Sequence, residues 1–235
     1  RKYPPAGAFA AAGHNASETA DLIRTGTRVL AADLREVGIT VDCLPVVDVP
    51  GEGAHNVIGD RAYAADPATV AAYGRAACEG LLTAGVLPVI KHMPGHGRAR
   101  ADSHLELPVV EASLAELEKS DFVPFKALAD MPLAMSAHVV YTAIDPDQPA
   151  TVSAKVVSQI IRGVLGFDGL IMSDDLSMKA LKGSFSEKTR ALFAAGLDMA
   201  LHCQGEIADG YAVAEASPIL DEIRLERAER ALAII

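Results

Sequence analysis

Residues 66–92 read DPATVAAYGRAACEGLLTAGVLPVIKH, and the rest of the chain repeats the pattern of this stretch. Asp66 can cap a helix with its carboxylate, and Pro67 takes the first helical position, where a missing N–H needs no partner. The helix is expected to end near Gly85, and VLPVI then forms a strand that ends at Lys91. A helix followed by a continuously apolar strand is typical of a parallel sheet that is covered on both faces.

The same alternation of helix and strand occurs on both sides of this stretch. A helix that begins near Ser17, whose hydroxyl can cap it, and ends at Gly38 is predicted to precede the strand ITVDCLPVVDV. Three further helical patterns, at 114–128, 154–165 and 187–195, precede the strands PLAMSAHVV, DGLIMSD and LDMALHC, and a last helix is expected after Ser217-Pro218. The chain is therefore an α/β protein with five predicted parallel strands. No linker or second domain is apparent, so residues 1–235 are treated as one domain.

Two architectures repeat strand and helix in this way, the open doubly wound sheet and the closed (β/α)8 TIM-type barrel. A doubly wound dinucleotide-binding protein carries G-x-G-x-x-G between its first strand and helix, and this sequence has no such motif. We therefore expect the barrel. Because a barrel takes about 250 residues for eight units, five units predict that the chain holds the C-terminal part and that about three N-terminal units lie upstream.

Composition excludes several classes of function. The 21 Lys and Arg against 31 Asp and Glu give a net charge of −10, which repels nucleic acid and anionic membranes. No apolar run reaches the roughly 20 residues that a membrane-spanning helix needs. Cys43, Cys78 and Cys203 are odd in number and lie in apolar segments, so we expect reduced core thiols and a cytoplasmic protein, although the chain does not begin with Met.

Polar side chains stand at the ends of all five predicted strands, where the active site of a parallel barrel lies. They are Asp48, Lys91-His92, His138, Ser173-Asp174-Asp175 and His202. Any one of them could simply end its strand, since Asp is a common turn former. Their convergence at one end of the barrel is the stronger indication of a site.

The loop after Lys91 and His92 reads MPGHGRARADSHLELP, and Gly95 and Gly97 would let its backbone approach a ligand. Asp102 and His104 are two residues apart, so a turn could place the carboxylate on one imidazole nitrogen and create a proton shuttle. An Asx-turn with a solvated histidine is an equal alternative. Zinc bound by His92, His96, Asp102 and His104 is a minor alternative, because Pro94 and two glycines prevent the helical spacing of H-E-x-x-H.

The strand end SDDLSM carries two adjacent acids, of which only one can face the barrel interior because successive side chains alternate. The inward acid is a candidate nucleophile, and the other could cap the next turn. Position alone does not choose between Asp174 and Asp175.

These residues resemble a known family. KHMPGHGRARADSHLELP and GFDGLIMSDDLSM are similar to glycoside hydrolase family 3, specifically to its bacterial β-N-acetylglucosaminidases, and the similarity extends over IGDRAYAADP, AMSAHVVYTAIDPDQPATVS and GLDMALHC. The resemblance implies that Asp174 is the nucleophile and that His104 is the general acid/base with Asp102 as its partner. It also implies that Arg61, Lys91 and His92 bind N-acetylglucosamine, without a metal or cofactor. An Asp-x-Glu-Gly-Gly stretch of the family would lie upstream of Arg1.

The reaction implied is retaining hydrolysis of terminal N-acetylglucosamine from 1,6-anhydromuropeptides during cell-wall recycling. The expected partner is a small carbohydrate substrate, and the expected state is a monomer or weak oligomer. A phosphorylase is a rival, because a neutral histidine base does not repel phosphate. A β-glucosidase of the same family, a metal-dependent hydrolase and a non-catalytic sugar-binding protein are further alternatives.

Overall fold

The structure, a computed structural model, describes residues 1–53, 56–99, 101, 103 and 106–235. Its strands in these ranges are β1 (Val41–Asp42), β2 (Leu87–Met93), β3 (Val109–Val110), β4 (Leu133–Ser136), β5 (Val140–Tyr141), β6 (Leu170–Asp175) and β7 (Met199–Leu201). Five of them form a parallel sheet in the order β1-β2-β4-β6-β7, and β3 pairs with β5 beside it. The five predicted parallel strands are confirmed, and the small second sheet was not predicted.

Helices connect the strands of the main sheet. They are α1 (Ala6–Ala11), α2 (Ala16–Glu36), α3 (Pro67–Thr83), α4 (Leu114–Lys119), α5 (Phe122–Ala127), α6 (Phe185–Ala195), α7 (Ile207–Ala216) and α8 (Glu222–Leu232), with a π-helix at Val156–Val164 before β6. The five parallel strands follow one another in chain order, whereas a doubly wound sheet reverses its order at a switch point. Within the described ranges, no helix is long and apolar enough to cross a membrane.

Both faces of the sheet are apolar, as predicted for parallel strands. On one face Leu87, Val89, Leu133, Met135, Leu170 and Met172 form one buried cluster. The alternate residues Ile90, Ala134 and Ile171 belong to the larger core that includes the helices. Because strand side chains alternate, Lys91 and Asp174 continue the first face beyond Val89 and Met172. The sheet thus delivers both side chains to the same side at its C-terminal edge.

The first strand is much shorter than predicted. Regular pairing covers only Val41 and Asp42, and Pro45 has no N–H to donate to a ladder. The segment nevertheless follows β2, since Val89 N donates to Leu44 O at 3.0 Å and Val47 N donates to Lys91 O at 2.8 Å. Asp48 therefore still arrives beside the end of β2.

The predicted helix 114–128 is divided into α4 and α5. A proline inside a continuous helix removes a hydrogen bond and clashes with the preceding turn. Because α5 begins at Phe122, Pro124 lies in its first turn, where backbone N–H groups form no hydrogen bond within the helix. The proline therefore removes no helical hydrogen bond at this position. The start of α2 was also predicted wrongly, because Asn15, rather than Ser17, accepts the capping hydrogen bond, from Glu18 N.

Two further predictions are corrected. β4 ends at Ser136, so His138 lies in the loop beyond the strand rather than at its end. All three cysteines are free, but only Cys78 is buried, whereas Cys43 is half-buried and Cys203 is exposed. Cys203 is therefore not a core thiol, because it follows the short edge strand β7, whose own residues are not buried.

Candidate active site

A cavity of about 140 Å³ lies at the C-terminal ends of β2 and β6. Four of the residues predicted to be catalytic or sugar-binding line it, namely Arg61, Lys91, His92 and Asp174. The other lining residues are Val57, Ile58, Ser103, Met178 and His96, which was a candidate zinc ligand. Larger clefts of about 270 and 370 Å³ contain none of the predicted site residues. The predicted residues Asp102 and His104 lie outside the described residues. Chemistry, rather than size, therefore identifies this cavity as the candidate site.

Asp174 is nearly buried, with 7% of its surface exposed in the cavity. Its Oδ1 accepts a hydrogen bond from the N–H of Asp175 at 2.8 Å. Its Oδ2 lies 3.9 Å from Nε2 of His92, which is too far for a hydrogen bond. One carboxylate oxygen is thus held by the backbone while the other faces the cavity, an arrangement suited to attack on a bound electrophilic carbon.

Asp175 forms the turn that follows β6. It accepts hydrogen bonds from Ser177 N at 3.0 Å and Cys203 N at 3.1 Å, and also from the Ser177 hydroxyl. Burial raises the pKa of Asp175, but these hydrogen bonds outweigh it and leave the pKa below its usual value. Asp175 does not line the cavity, so the two adjacent acids have different surroundings.

Asp48 lies beneath the cavity and is fully buried. Its Oδ2 lies 2.6 Å from Nδ1 of His92, and its Oδ1 accepts hydrogen bonds from the N–H of His92 at 3.2 Å and of His96 at 2.6 Å. Burial raises the pKa of Asp48, but the neighbouring rings of His92 and His96 and the hydrogen bonds from these two residues outweigh burial, so the net pKa is below its usual value. From the sequence, Asp48 was predicted only to lie at the end of a strand, and its contact with the His92 ring was not predicted.

The loop after β2 meets the loop after β6 at Ser103. The buried His96 places Nε2 3.3 Å from the Ser103 hydroxyl, and the Ser103 carbonyl accepts a hydrogen bond from Ala180 N at 3.3 Å. Burial lowers the pKa of His96, although the carboxylate of Asp48 opposes this effect. Ser103 separates Asp102 from His104 in the sequence, and the predicted pairing of those two residues remains a prediction.

The two loop glycines lie close to other parts of the protein. A side chain at Gly97 would place its Cβ 1.9 Å from the carbonyl oxygen of Val49. Gly95 has φ +137°, and a Cβ there would lie 2.9 Å from the side chain of Asp121. Both glycines are therefore needed for packing within the protein, Gly97 against the segment that carries Asp48 and Gly95 against Asp121.

Two cationic side chains enter the cavity from different elements. Arg61 ends the 3-10 turn Gly59–Arg61, and its Nη2 donates to Val57 O at 2.6 Å. Lys91 extends from β2 on the face of Leu87 and Val89. Both carry only hydrogen-bond donors, which suits binding of hydroxyl and carbonyl oxygens.

His138 and His202, the other strand-end histidines, do not line the cavity. The buried His138 has Nδ1 2.7 Å from the Thr151 hydroxyl and Nε2 3.2 Å from the carbonyl oxygen of Asp175. Burial lowers its pKa. His202 packs edge-on against Phe185, with the ring centres 4.7 Å apart. His138 therefore braces the backbone next to Asp174, whereas His202 packs against α6.

The metal alternative rests on residues that are only partly described. Within the described ranges no group of three or more His, Cys, Asp or Glu side chains could hold a metal ion. Two of the four candidate zinc ligands, Asp102 and His104, fall outside those ranges.

Comparison with known proteins identifies the family. The profile of the glycosyl hydrolase family 3 N-terminal domain matches residues 2–231. A β-hexosaminidase of Bordetella avium is 42% identical over 203 residues, which are 83% of this chain and 57% of that protein. A β-hexosaminidase of Tolumonas auensis is 38% identical over 239 residues, covering 100% of this chain and 68% of that protein. The chain thus spans 57% and 68% of the length of these two relatives.

Solved structures give the same result. NagZ from Neisseria gonorrhoeae in complex with N-trifluoroacetyl-D-glucosamine superimposes with a TM-score of 0.88 at 33% identity, covering 98% of this chain and 67% of that one. A family 3 β-N-acetylglucosaminidase from Paenibacillus sp. gives a TM-score of 0.88 at 30% identity, covering 99% of this chain and 45% of that one. The fold is of the TIM-type β/α class, and the chain belongs to glycosyl hydrolase family 3, matching its N-terminal domain over nearly the whole length.

Proposed function

We propose that this chain carries the catalytic residues of a retaining exo-β-N-acetylglucosaminidase. The observation that carries the proposal is the cavity that brings Arg61, Lys91, His92 and Asp174 together from distant parts of the chain. The relatives named β-hexosaminidase and the Neisseria NagZ complex with an N-acylated glucosamine support the choice of sugar.

In the proposed reaction, Arg61, Lys91 and His92 hold the sugar against Asp174. The Asp174 carboxylate attacks the anomeric carbon and forms a covalent ester, while the bond to the leaving oxygen breaks. The imidazolium of His104 gives its proton to that oxygen. In the second step His104 takes a proton from water, the water oxygen bonds to the anomeric carbon, and Asp174 leaves as a carboxylate.

The assignment of His104 and Asp102 is supported by their neighbour Ser103, which lines the same cavity as Asp174. Ser103 is the residue between the two in the sequence. A histidine suits both proton transfers near neutral pH because its unperturbed pKa is about 6.5. Asp102 would orient the ring and stabilise its charged form.

The five parallel strands are consecutive units of one barrel in this proposal, which is supported by their sequential order in the sheet. The natural substrate would be a cytoplasmic peptidoglycan fragment, a 1,6-anhydromuropeptide with N-acetylglucosamine at its non-reducing end. The three free cysteines agree with a reducing compartment.

A phosphorylase is the second candidate. The cations Arg61 and Lys91 line the cavity and would attract phosphate, and a histidine base would not repel it. Phosphate in place of water would then release a sugar phosphate from the same covalent ester.

The deciding experiment uses the full-length polypeptide that carries this chain. Release of p-nitrophenol from its N-acetyl-β-glucosaminide is measured beside the β-glucoside, with and without phosphate. Phosphate-independent release from the acetamido sugar is the expected result. Release that requires phosphate would establish a phosphorylase, and release from the β-glucoside would establish a β-glucosidase. No release from either substrate would contradict the proposal.

A further inference from the structure

The buried carboxylate of Asp48 has no role in the mechanism above, yet it contacts a residue of the cavity. Asp48 is fully buried, and its two oxygens have separate partners. Oδ1 accepts two backbone N–H groups, those of His92 and His96, and Oδ2 faces the Nδ1 atom of the His92 ring at 2.6 Å.

The hydrogen bonds determine where the ring proton of His92 lies. A carboxylate only accepts hydrogen bonds, so Nδ1 must be the protonated nitrogen. In the neutral ring, Nε2 then carries the lone pair and points to the cavity, 3.9 Å from Oδ2 of Asp174.

We propose that Asp48 is a positioning residue that holds the proton of His92 on Nδ1, so that the Nε2 lone pair accepts a hydrogen bond from a hydroxyl of the sugar bound against Asp174. The hydrogen bond from the sugar hydroxyl rests on the function proposed above. The location of the ring proton on Nδ1 of His92 is independent of that function.

The geometry makes Asp48→Asn a sharp test. The two backbone N–H groups at the Oδ1 position can be satisfied only by the amide oxygen of the asparagine. Its NH2 group must then occupy the Oδ2 position and donate to Nδ1 of His92. The proton of the neutral ring moves to Nε2, which becomes a donor towards the cavity, while size and packing stay almost unchanged. A similar inversion of a histidine tautomer is known to impair the Ser-His-Asp triad.

The first measurement is NMR of histidine ¹⁵N in the full-length polypeptide, with His92→Ala used to assign the signal. The wild type is expected to show a proton on Nδ1 and none on Nε2 of His92, and Asp48→Asn is expected to reverse this. A wild-type proton on Nε2 would overturn the proposal. This measurement does not depend on enzymatic activity, so it distinguishes failure of this inference from failure of the proposed function. If the variant does not fold, the wild-type spectrum alone still shows which nitrogen of His92 carries the proton.

The second measurement is a double-mutant cycle on kcat/KM with the N-acetyl-β-glucosaminide. Asp48→Asn is expected to lower kcat/KM about ten- to a hundredfold, because the Nε2–H of His92 would then face the sugar hydroxyl without forming the hydrogen bond that the lone pair accepts in the wild type. In the His92→Ala background the same change should have less than about a twofold effect, because Asp48 acts through that ring. Equal losses in both backgrounds, or no loss in either, would overturn the proposal.

The control is Asp145→Asn. Asp145 is also buried and hydrogen-bonded, to the Ser153 hydroxyl at 2.6 Å, but it does not line the cavity. It should leave kcat/KM and the His92 tautomer unchanged. A loss equal to that of Asp48→Asn would show that any buried Asp→Asn change has this effect, and would overturn the specific role of Asp48.

Discussion

Nε2 of His92 lies 3.9 Å from Oδ2 of Asp174, although the two residues belong to strands β2 and β6, which are separated in the sheet by β4. The sheet order brings their C-terminal ends to one edge, and Asp48 holds the opposite side of the His92 ring. The candidate nucleophile Asp174 and the candidate sugar-binding residue His92 are thus both placed by strands of the main sheet. This arrangement leads to the following predictions.

Asp174→Asn should lower turnover of the N-acetyl-β-glucosaminide by about a thousandfold or more, because an amide cannot form the covalent ester. A fluorinated glycoside that accumulates the ester should label the wild type, and mass spectrometry of the labelled peptide should place the sugar on Asp174. A label on Asp175 would contradict the assignment, since that carboxylate is engaged in the turn with Ser177.

His104→Ala should slow hydrolysis strongly for a substrate with a poor leaving group, such as a disaccharide. The loss should be much smaller for the p-nitrophenyl glycoside, whose leaving group needs little protonation. The measurement is kcat/KM for both substrates in wild type and variant. A loss of the same size on both would show that His104 does not protonate the leaving group.

The free energy of unfolding should fall as the pH is lowered from about 6.5, the unperturbed pKa of histidine. Burial lowers the pKa of His96 and of His138 in the fold, so below pH 6.5 the unfolded chain binds protons that the folded chain does not. Each contributes up to about 1.4 kcal/mol per pH unit between its two pKa values. Urea unfolding at several pH values measures the slope, and His138→Gln should reduce it. A flat profile would mean that neither ring is kept neutral by burial.

Asp198→Ala should lower the free energy of unfolding by about 3 kcal/mol, the usual cost of removing one partner of a buried ion pair. The Asp198 carboxylate is buried and accepts hydrogen bonds from Arg162 at 2.7 Å, Ile171 N at 2.8 Å and Arg227 at 3.1 Å. It therefore joins the π-helix, β6 and α8. The exposed Asp147→Ala is the matched control and should change stability by less than about 0.5 kcal/mol, as measured by urea denaturation. Equal effects would contradict this role.

Gly97→Ala should lower kcat/KM about a hundredfold, because its Cβ would collide with Val49 O and shift the loop that carries His96. Gly205→Ala, where a Cβ meets nothing within 4 Å, is the control and should stay within about twofold. Steady-state kinetics on both variants checks this. Unchanged kinetics for Gly97→Ala would show that the loop adapts without cost to the reaction.

Local sequence signals were enough to predict the α/β class, the five parallel strands and, at β2 and β6, the polar residues at the C-terminal ends. Apolar runs and caps are local signals, as the Asp66-Pro67 start of α3 shows. Alternation along a strand also predicted that Asp174 and Asp175 differ in orientation. It could not choose between them, because the choice depends on Ser177 and Cys203 binding one carboxylate.

The contacts between segments that are distant in the chain could be found only from the folded structure. Asp48 and His92 are 44 positions apart, and their hydrogen bond exists because the segment after β1 runs beside β2. Position 97 must likewise be glycine because a side chain there would collide with Val49, which is distant in the sequence. Cys203 is exposed because it follows a strand at the edge of the sheet. Sequence patterns report local backbone preference and burial on average, whereas hydrogen-bond partners depend on which strands the fold places side by side.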